Sequence, residues 1–246
     1  MRVGVFGGLG RLGTEVVALA KSYPGINEIL IKDSKQEKNK NFISFDEFMA
    51  KSDVIIDTSC AEGTKTLIDA ISSYSLVQNI NGHKKKALII GSTGHKSDVK
   101  DIVDDILNIV PVLYAPNAAQ SLWYFLRSVT LLAKTLGPSW DVHIKDHHHK
   151  HKRDTPSGTV MYFIHHLESI CPWLHKKIQW NSVRAGTGMI LNSVLFSGNN
   201  EIIECTHQVL EVGVFAKGLL DMAHWIKECS PGYYDIQCYI NYQEGV

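Results

Sequence analysis

Hydrophobic and polar positions in the first half of the chain alternate between two periods. Short aliphatic runs, RVGVF (2–6), EILIK (28–32), SDVIIDTS (52–59), KKALIIGSTG (85–94) and VPVLYAPN (110–117), predict strands. Apolar residues at 12, 16, 17 and 20 predict a helix over Arg11–Ser22, and helical patterns recur over Thr64–Ser73 and Asp98–Asn108. Val54, Ile55 and Ile56 follow one another without a polar break, which predicts a strand covered on both faces. Strand and helix in regular alternation predict an α/β fold, a Rossmann-type doubly wound parallel sheet.

After Asn117 the rhythm changes. A long apolar helix is predicted over Ser121–Leu136, stopped by Gly137-Pro138, and WDVHIKD (140–146) alternates as a strand. A helix over about Ser157–Ser169 precedes three strand-like runs, IQWNSVRAG (178–186), MILNSVLFSG (189–198) and EIIECTHQV (201–209). Gly198-Asn199-Asn200 is the expected hairpin turn. Strands in succession predict a smaller α+β domain with a mixed or antiparallel sheet, and Phe215–Glu228 closes the pattern as an amphipathic helix. The change of pattern places a domain boundary near residue 117.

Composition narrows the class. Lysine plus arginine and aspartate plus glutamate number 25 each, so no overall charge draws the chain to nucleic acid or to a membrane surface. No basic segment followed by an apolar run suggests a signal peptide, and no stretch approaches the roughly eighteen apolar residues of a membrane span. Five scattered cysteines without CxxC spacing predict reduced thiols and a cytoplasmic protein.

Two stretches carry candidate chemistry. Gly7, Gly10 and Gly13 stand between the first strand and the first helix, where a tight turn, close backbone approach and helix amides suit a pyrophosphate. The spacing departs from G-x-G-x-x-G, and Gly8 partly compensates. Asp33 ends the second strand twenty residues beyond Gly13, where a carboxylate would accept from ribose hydroxyls. It would also repel a 2′-phosphate, which favours NADH, with Lys32 and Lys35 near enough to permit NADPH. Asp57-Thr58-Ser59 and Gly91-Ser92-Thr93-Gly94 end two further strands at the same edge and offer hydroxyls to a nicotinamide ribose or carboxamide.

The second stretch is DHHHKHKRDTPSGT (146–159). As a metal site it lacks a defined ligand set, and Lys150, Lys152 and Arg153 oppose a dication, so no metal is expected. A solvated histidine-rich loop is the plain alternative. The catalytic alternative uses more of the residues: Pro156 and Ser157 open a helix, leaving the Gly158 and Thr159 amides free to receive a carboxylate or phosphate. Lys152 and the histidines add positive charge and exchangeable protons.

This stretch resembles the signature of the 4-hydroxy-tetrahydrodipicolinate (dihydrodipicolinate) reductase family, approximately E-x-H-H-x-x-K-x-D-x-P-S-G-T. The likeness extends through GGLGRLG, Asp57-Thr58-Ser59 with Glu62-Gly63-Thr64, Gly91–Gly94, Ala115-Pro116-Asn117, Val183–Gly186, Thr206-His207 and Phe215-Ala216-x-Gly218. It implies reduction of a cyclic dicarboxylate imine by NADH or NADPH on the diaminopimelate route to lysine. His148 and Lys152 would be the catalytic acid and base. His149, Gly158 and Thr159 would bind substrate. The cofactor would lie against Gly7, Gly8, Leu9, Gly10, Arg11, Leu12, Asp33, Gly91, Ser92, Thr93, Ala115, Pro116, Asn117 and Ala118. Residues 1–117 and 215–246 become the dinucleotide-binding domain, and 118–214 the substrate-binding and oligomerisation domain of a homotetramer.

The pattern is broken in four places: Ala118–Leu122 replaces Phe-Ser-x-Gly-Val, Ile190-Leu191-Asn192 replaces Gly-Glu-His, Val212 stands at about the position of an arginine, and the link from Thr159 to Arg184 is shortened. Arg184 is either a surface cation or a residue near the site, His207 is expected to pack within its strand, and His165 and His166 to be partly exposed. The rival readings are another two-domain NAD-dependent dehydrogenase and a non-catalytic nucleotide- or metal-binding relative.

Overall fold

A computed structural model describes residues 1–35, 43–78, 86–188, 190–198 and 200–245. The chain forms two compact units, Met1–Ala118 with Val212–Val246, and Ala119–Glu211. Lys85, Met189 and Asn199, which belong to predicted strands and a predicted turn, lie outside the described residues.

In the first unit, β1 (Arg2–Phe6), β2 (Glu28–Lys32), β3 (Val54–Asp57), β4 (Ala87–Ile90), β5 (Pro111–Tyr114) and β10 (Gly232–Asp235) form one sheet, numbered as the chain is followed through both units. Its order is β10-β5-β4-β3-β1-β2, with every neighbouring pair parallel. The chain moves from β1 to β2 on one side and to β3 on the other. That reversal is the switch point beside which doubly wound sheets bind ligands. Val54 to Asp57 are all buried, and each large aliphatic side chain there contributes about 1.5–3 kcal/mol to the core.

Helix α1 (Arg11–Ala20) buries Gly13, Val16 and Ala20, whereas α2 (Phe45–Lys51) is capped by Ser44 and buries Phe48 and Met49. Helix α3 (Ala61–Gln78) is longer than its apolar pattern predicts, and α4 (Val99–Val103) is shorter. The expected helix over Asp98–Asn108 tightens into a 3-10 turn at Asp104–Ile106. Phe6, Ile55, Ile90, Phe48, Leu67, Ile71 and Val103 share one core cluster. Helix α7 (Gly213–Ile226) packs against α1, β3, β4 and β5. A Cβ on Gly218 of α7 would stand 1.8 Å from the Ala118 carbonyl oxygen, so only glycine allows that approach. Helix α8 (Ile236–Glu244), capped by Asp235, ends the unit.

The second unit sets α5 (Gln120–Leu136) and α6 (Gly158–Ile170) with a sheet of β6 (Asp141–His148), β7 (Gln179–Arg184), β8 (Ile190–Gly198) and β9 (Glu201–Val209). The order is β7-β6-β8-β9, with β6 parallel to β7 and antiparallel to β8. β8 and β9 pair antiparallel with Gly198 opposite Glu201. Along β6 the two-residue period buries Val142, Ile144, Asp146 and His148, while His143, Lys145 and His147 alternate to the other face. The apolar partners on the inner face include Val194 and Phe196 from β8, opposite Ile144 and Val142.

Candidate active site

The glycine turn follows β1 at the carboxyl edge of the first unit's sheet. Gly7 has φ +78°, and a Cβ there would meet the Ser59 backbone at 2.8 Å. A Cβ on Gly13 would fall 2.3 Å from the Gly7 carbonyl oxygen, so the helix can close on the turn only without a side chain. Such a cradle, open to backbone approach, fits a pyrophosphate.

Asp33 is buried beside this turn. Its Oδ2 accepts from the Leu9 amide at 3.0 Å and its Oδ1 from the Lys35 amide at 2.9 Å. The carboxylate therefore ties the end of β2 to the turn and keeps further lone pairs for a ligand. Lys32 does not join it: its ammonium donates to the Ile43 carbonyl at 3.1 Å and lies over the Phe45 ring.

The hydroxyl-rich strand ends are largely engaged internally. Asp57, fully buried, accepts from the Ser59 amide (2.9 Å) and hydroxyl (2.5 Å), the Thr64 hydroxyl (2.5 Å) and the Ser92 hydroxyl (3.1 Å). Thr58 turns its hydroxyl to the Phe6 and Gly7 carbonyls. Asp57 thus binds the ends of β3 and β4 to the start of α3. Its hydroxyl partners follow at positions 59, 64 and 92, a spacing that a strand-end reading alone does not connect. Gly91, Thr93 and Ala115–Ala118 occupy the same carboxyl edge, with Ala115 held by its amide to the Ile90 carbonyl at 2.8 Å.

In the second unit the histidine stretch runs off the end of β6. Asp146 is fully buried and Arg184, which stands opposite His148 on β7, reaches it with both terminal nitrogens, at 3.3 and 3.1 Å. His148 Nδ1 stands 3.0 Å from Asp146 Oδ2, too far off line for a full hydrogen bond. Burial alone would raise the Asp146 pKa. Interactions with His148, Ser182, Arg184 and Ser157 override it and hold the carboxyl well below the ordinary range.

Arg184 also donates to the Asp154 carbonyl at 2.8 Å, which fixes the loop carrying Lys152. Lys152 Nζ in turn lies 2.9 Å from Asp154 Oδ1. His148 and Lys152, the expected acid and base, are therefore joined by a continuous run of contacts through Asp146, Arg184 and Asp154. Arg184 is a clamp within this run. Sequence reasoning assigned no role to Asp146 or Asp154, although both lie inside the quoted motif.

Ser157 caps α6, accepting from the Val160 amide at 3.3 Å. The expectation of a free amide needs correction at Gly158. Burial raises the Asp154 pKa, and Lys152 with the backbone amides of Asp154 and Gly158 overrides it, so the Gly158 amide already faces a carboxylate. The His149 and His151 rings lie 6.3 Å apart, and His147 contacts the Ala185 carbonyl from the opposite face of β6. Among the described residues no group of three His, Cys, Asp or Glu side chains is arranged to hold a metal ion. His207 bonds Ser121 at 2.9 Å and packs against Phe125, and burial lowers its pKa.

A Rossmann-like unit with a glycine turn and a strand-end carboxylate, in one chain with a mixed-sheet unit bearing a lysine–histidine cluster, defines a pyridine-nucleotide oxidoreductase. The comparisons with known proteins specify it further. Family models described as "Dihydrodipicolinate reductase, N-terminus" and "Dihydrodipicolinate reductase, C-terminus" match residues 1–118 and 122–240, and the chain belongs to this family. It is 32% identical to the 4-hydroxy-tetrahydrodipicolinate reductase of Trichlorobacter lovleyi, over 72% of this chain and 73% of that one. It is 28% identical to the enzyme of that name from Helicobacter hepaticus, over 96% and 98% of the two chains. A dipicolinate-bound dihydrodipicolinate reductase from Paenisporosarcina sp. TG-14 shares the fold, with TM-score 0.71, 19% identity, and coverage of 96% of this chain and 97% of that one.

Proposed function

We propose that the chain is a 4-hydroxy-tetrahydrodipicolinate reductase, acting in the diaminopimelate route of lysine biosynthesis. The observation that carries the reading is the linked Lys152–Asp154–Arg184–Asp146–His148 run beside a serine-capped helix. It supplies fixed positive charge and two proton-exchanging groups for a dianionic heterocycle.

The glycine turn 7–12, Asp33, Gly91–Thr93 and Ala115–Ala118 hold the nucleotide, which supplies the hydride when bound. The buried Asp33 carboxylate favours NADH, because it disfavours a 2′-phosphate and Lys32 is turned to Ile43. Lys152, the Gly158 and Thr159 amides and His149 receive the substrate carboxylates. As hydride adds to the conjugated imine, negative charge grows on the ring, and this preorganised cationic surface stabilises it more than it stabilises the substrate. His148 and Lys152 are the two groups placed to hold and deliver the proton that completes the reduction.

Asp146 and Arg184 keep His148 and the Lys152 loop in place. The outer face of the second unit's sheet, with Lys145 and Ile202, is the surface for assembly into a homotetramer. No helix among the described residues is long and apolar enough to cross a membrane, and the cytoplasm is the expected compartment. The test is oxidation of NADH, and separately NADPH, dependent on the condensation product of pyruvate and aspartate semialdehyde. Absence of substrate-dependent oxidation with either nucleotide overturns the reading.

A further inference from the structure

The pairing of Lys152 with Asp154 has a consequence for how substrate enters. The Asp154 side chain is 54% exposed and reaches Lys152 Nζ at 2.9 Å. Against burial, the pKa of the same carboxylate is drawn down by Lys152 first and also by the amide of Gly158 at the start of α6. Lysine and helix amide together form the receptor that an incoming carboxylate needs, and one of the chain's own carboxylates is paired with the lysine in front of it. The backbone of Asp154 is held independently, through its carbonyl to Arg184 at 2.8 Å. Its side chain can therefore turn into water without moving the loop.

We propose that Asp154 is a resident counter-anion of the substrate pocket, holding Lys152 and the Gly158 amide in place until a substrate carboxylate displaces it. This rests on the functional reading above. Asp154 does not touch the reacting atoms; it is a positioning residue that sets affinity. While seated it holds the ammonium in one position, 2.9 Å from its own Oδ1. Once displaced it is a nearby negative charge that opposes a dianion. Both effects make binding weaker than the cationic groups alone would give, and favour ligands that offer a carboxylate in its stead. A neutral ligand of the same shape cannot replace the lost ion pair.

The probe is pyridine-2,6-dicarboxylate, a planar unreactive dicarboxylate, titrated calorimetrically into the parent chain and into Asp154→Asn and Asp154→Ser variants. Asparagine and serine keep the backbone carbonyl for Arg184 and remove the charge. Because the pair is partly solvated, its contribution is modest, and each variant should bind roughly two- to fivefold more tightly than the parent. The KM for the imine should fall in the same direction. A merely structural role would change the dissociation constant the opposite way. Equal or weaker binding by the variants, with the parent still binding, overturns the proposal and leaves the functional reading intact. Failure of the parent itself to bind overturns both.

Discussion

Substituting Asp146→Asn keeps the shape of a fully buried side chain and deletes its charge, leaving Arg184 and His148 without the carboxylate they share. Removing one partner of a buried ion pair costs about 3–5 kcal/mol, because the other charge remains desolvated. The asparagine oxygen can still accept one bond from Arg184, which places the expected loss near the lower end, about 3 kcal/mol. That is a large share of the roughly 5–15 kcal/mol that holds a domain folded. With a urea dependence of about 1–3 kcal/mol per molar, the midpoint should fall by about 1 M or more.

Tryptophan fluorescence suits the measurement, since Trp123, Trp140, Trp173 and Trp180 lie in the second unit and Trp225 in the first. The acid limb gives an independent check. The folded-state pKa of Asp146 is depressed from its ordinary 3.8, so the unfolded chain binds more protons at this group near pH 4. Its stabilisation is complete above about pH 5 and is lost as the pH falls through 4 and below. The variant lacks this titration, and its stability should vary less with pH between about 5 and 3. A loss below about 1 kcal/mol with an unaltered acid limb would refute the argument, for the pair would then behave as a solvated surface contact.

Lys152→Ala and His148→Gln should each lower turnover by about 10²–10⁴ while nucleotide affinity stays within a few-fold, and equal losses in both would show that the site is misassigned. Asp33→Ala should narrow the preference for NADH over NADPH and also weaken both, since the Leu9 amide loses its partner; an unchanged ratio in steady-state kinetics would remove the ribose role. Gly218→Ala would drive a Cβ to 1.8 Å from the Ala118 carbonyl oxygen, and α7 must shift. Melting should fall by several degrees, consistent with an overpacking penalty of about 1–3 kcal/mol, and a parent-like melting temperature would contradict the packing described.

The parallel sheet was legible because Val54–Ile56 and Ala87–Ile90 are continuous apolar runs, the pattern of strands covered on both faces. The last strand was not. GYYD (232–235) is short and mostly half-buried, shows no alternation, and pairs with β5 far away in sequence. Helix α2 also escaped notice, although Ser44 followed by Glu47 is a capping signal. The glycine turn could be placed from spacing alone, because its backbone demands are local. Asp57 and Asp154 could not: whether a strand-end or loop carboxylate faces a ligand or the protein depends on partners that only the fold assembles. Asp57 turns in to hydroxyls up to 35 positions away, and Asp154 folds back on Lys152.

The first unit is assembled from two separated segments, with the whole second unit inserted between them. During synthesis on the ribosome, β5 emerges early and its free edge must wait for β10, and the sheet face under α7 stays bare until the final segment appears. A nascent chain in that state presents unpaired backbone and apolar surface to its surroundings, the condition under which chaperone capture or aggregation competes with folding. Chains stalled before residue 212 should accordingly be more readily cleaved by protease than the finished protein.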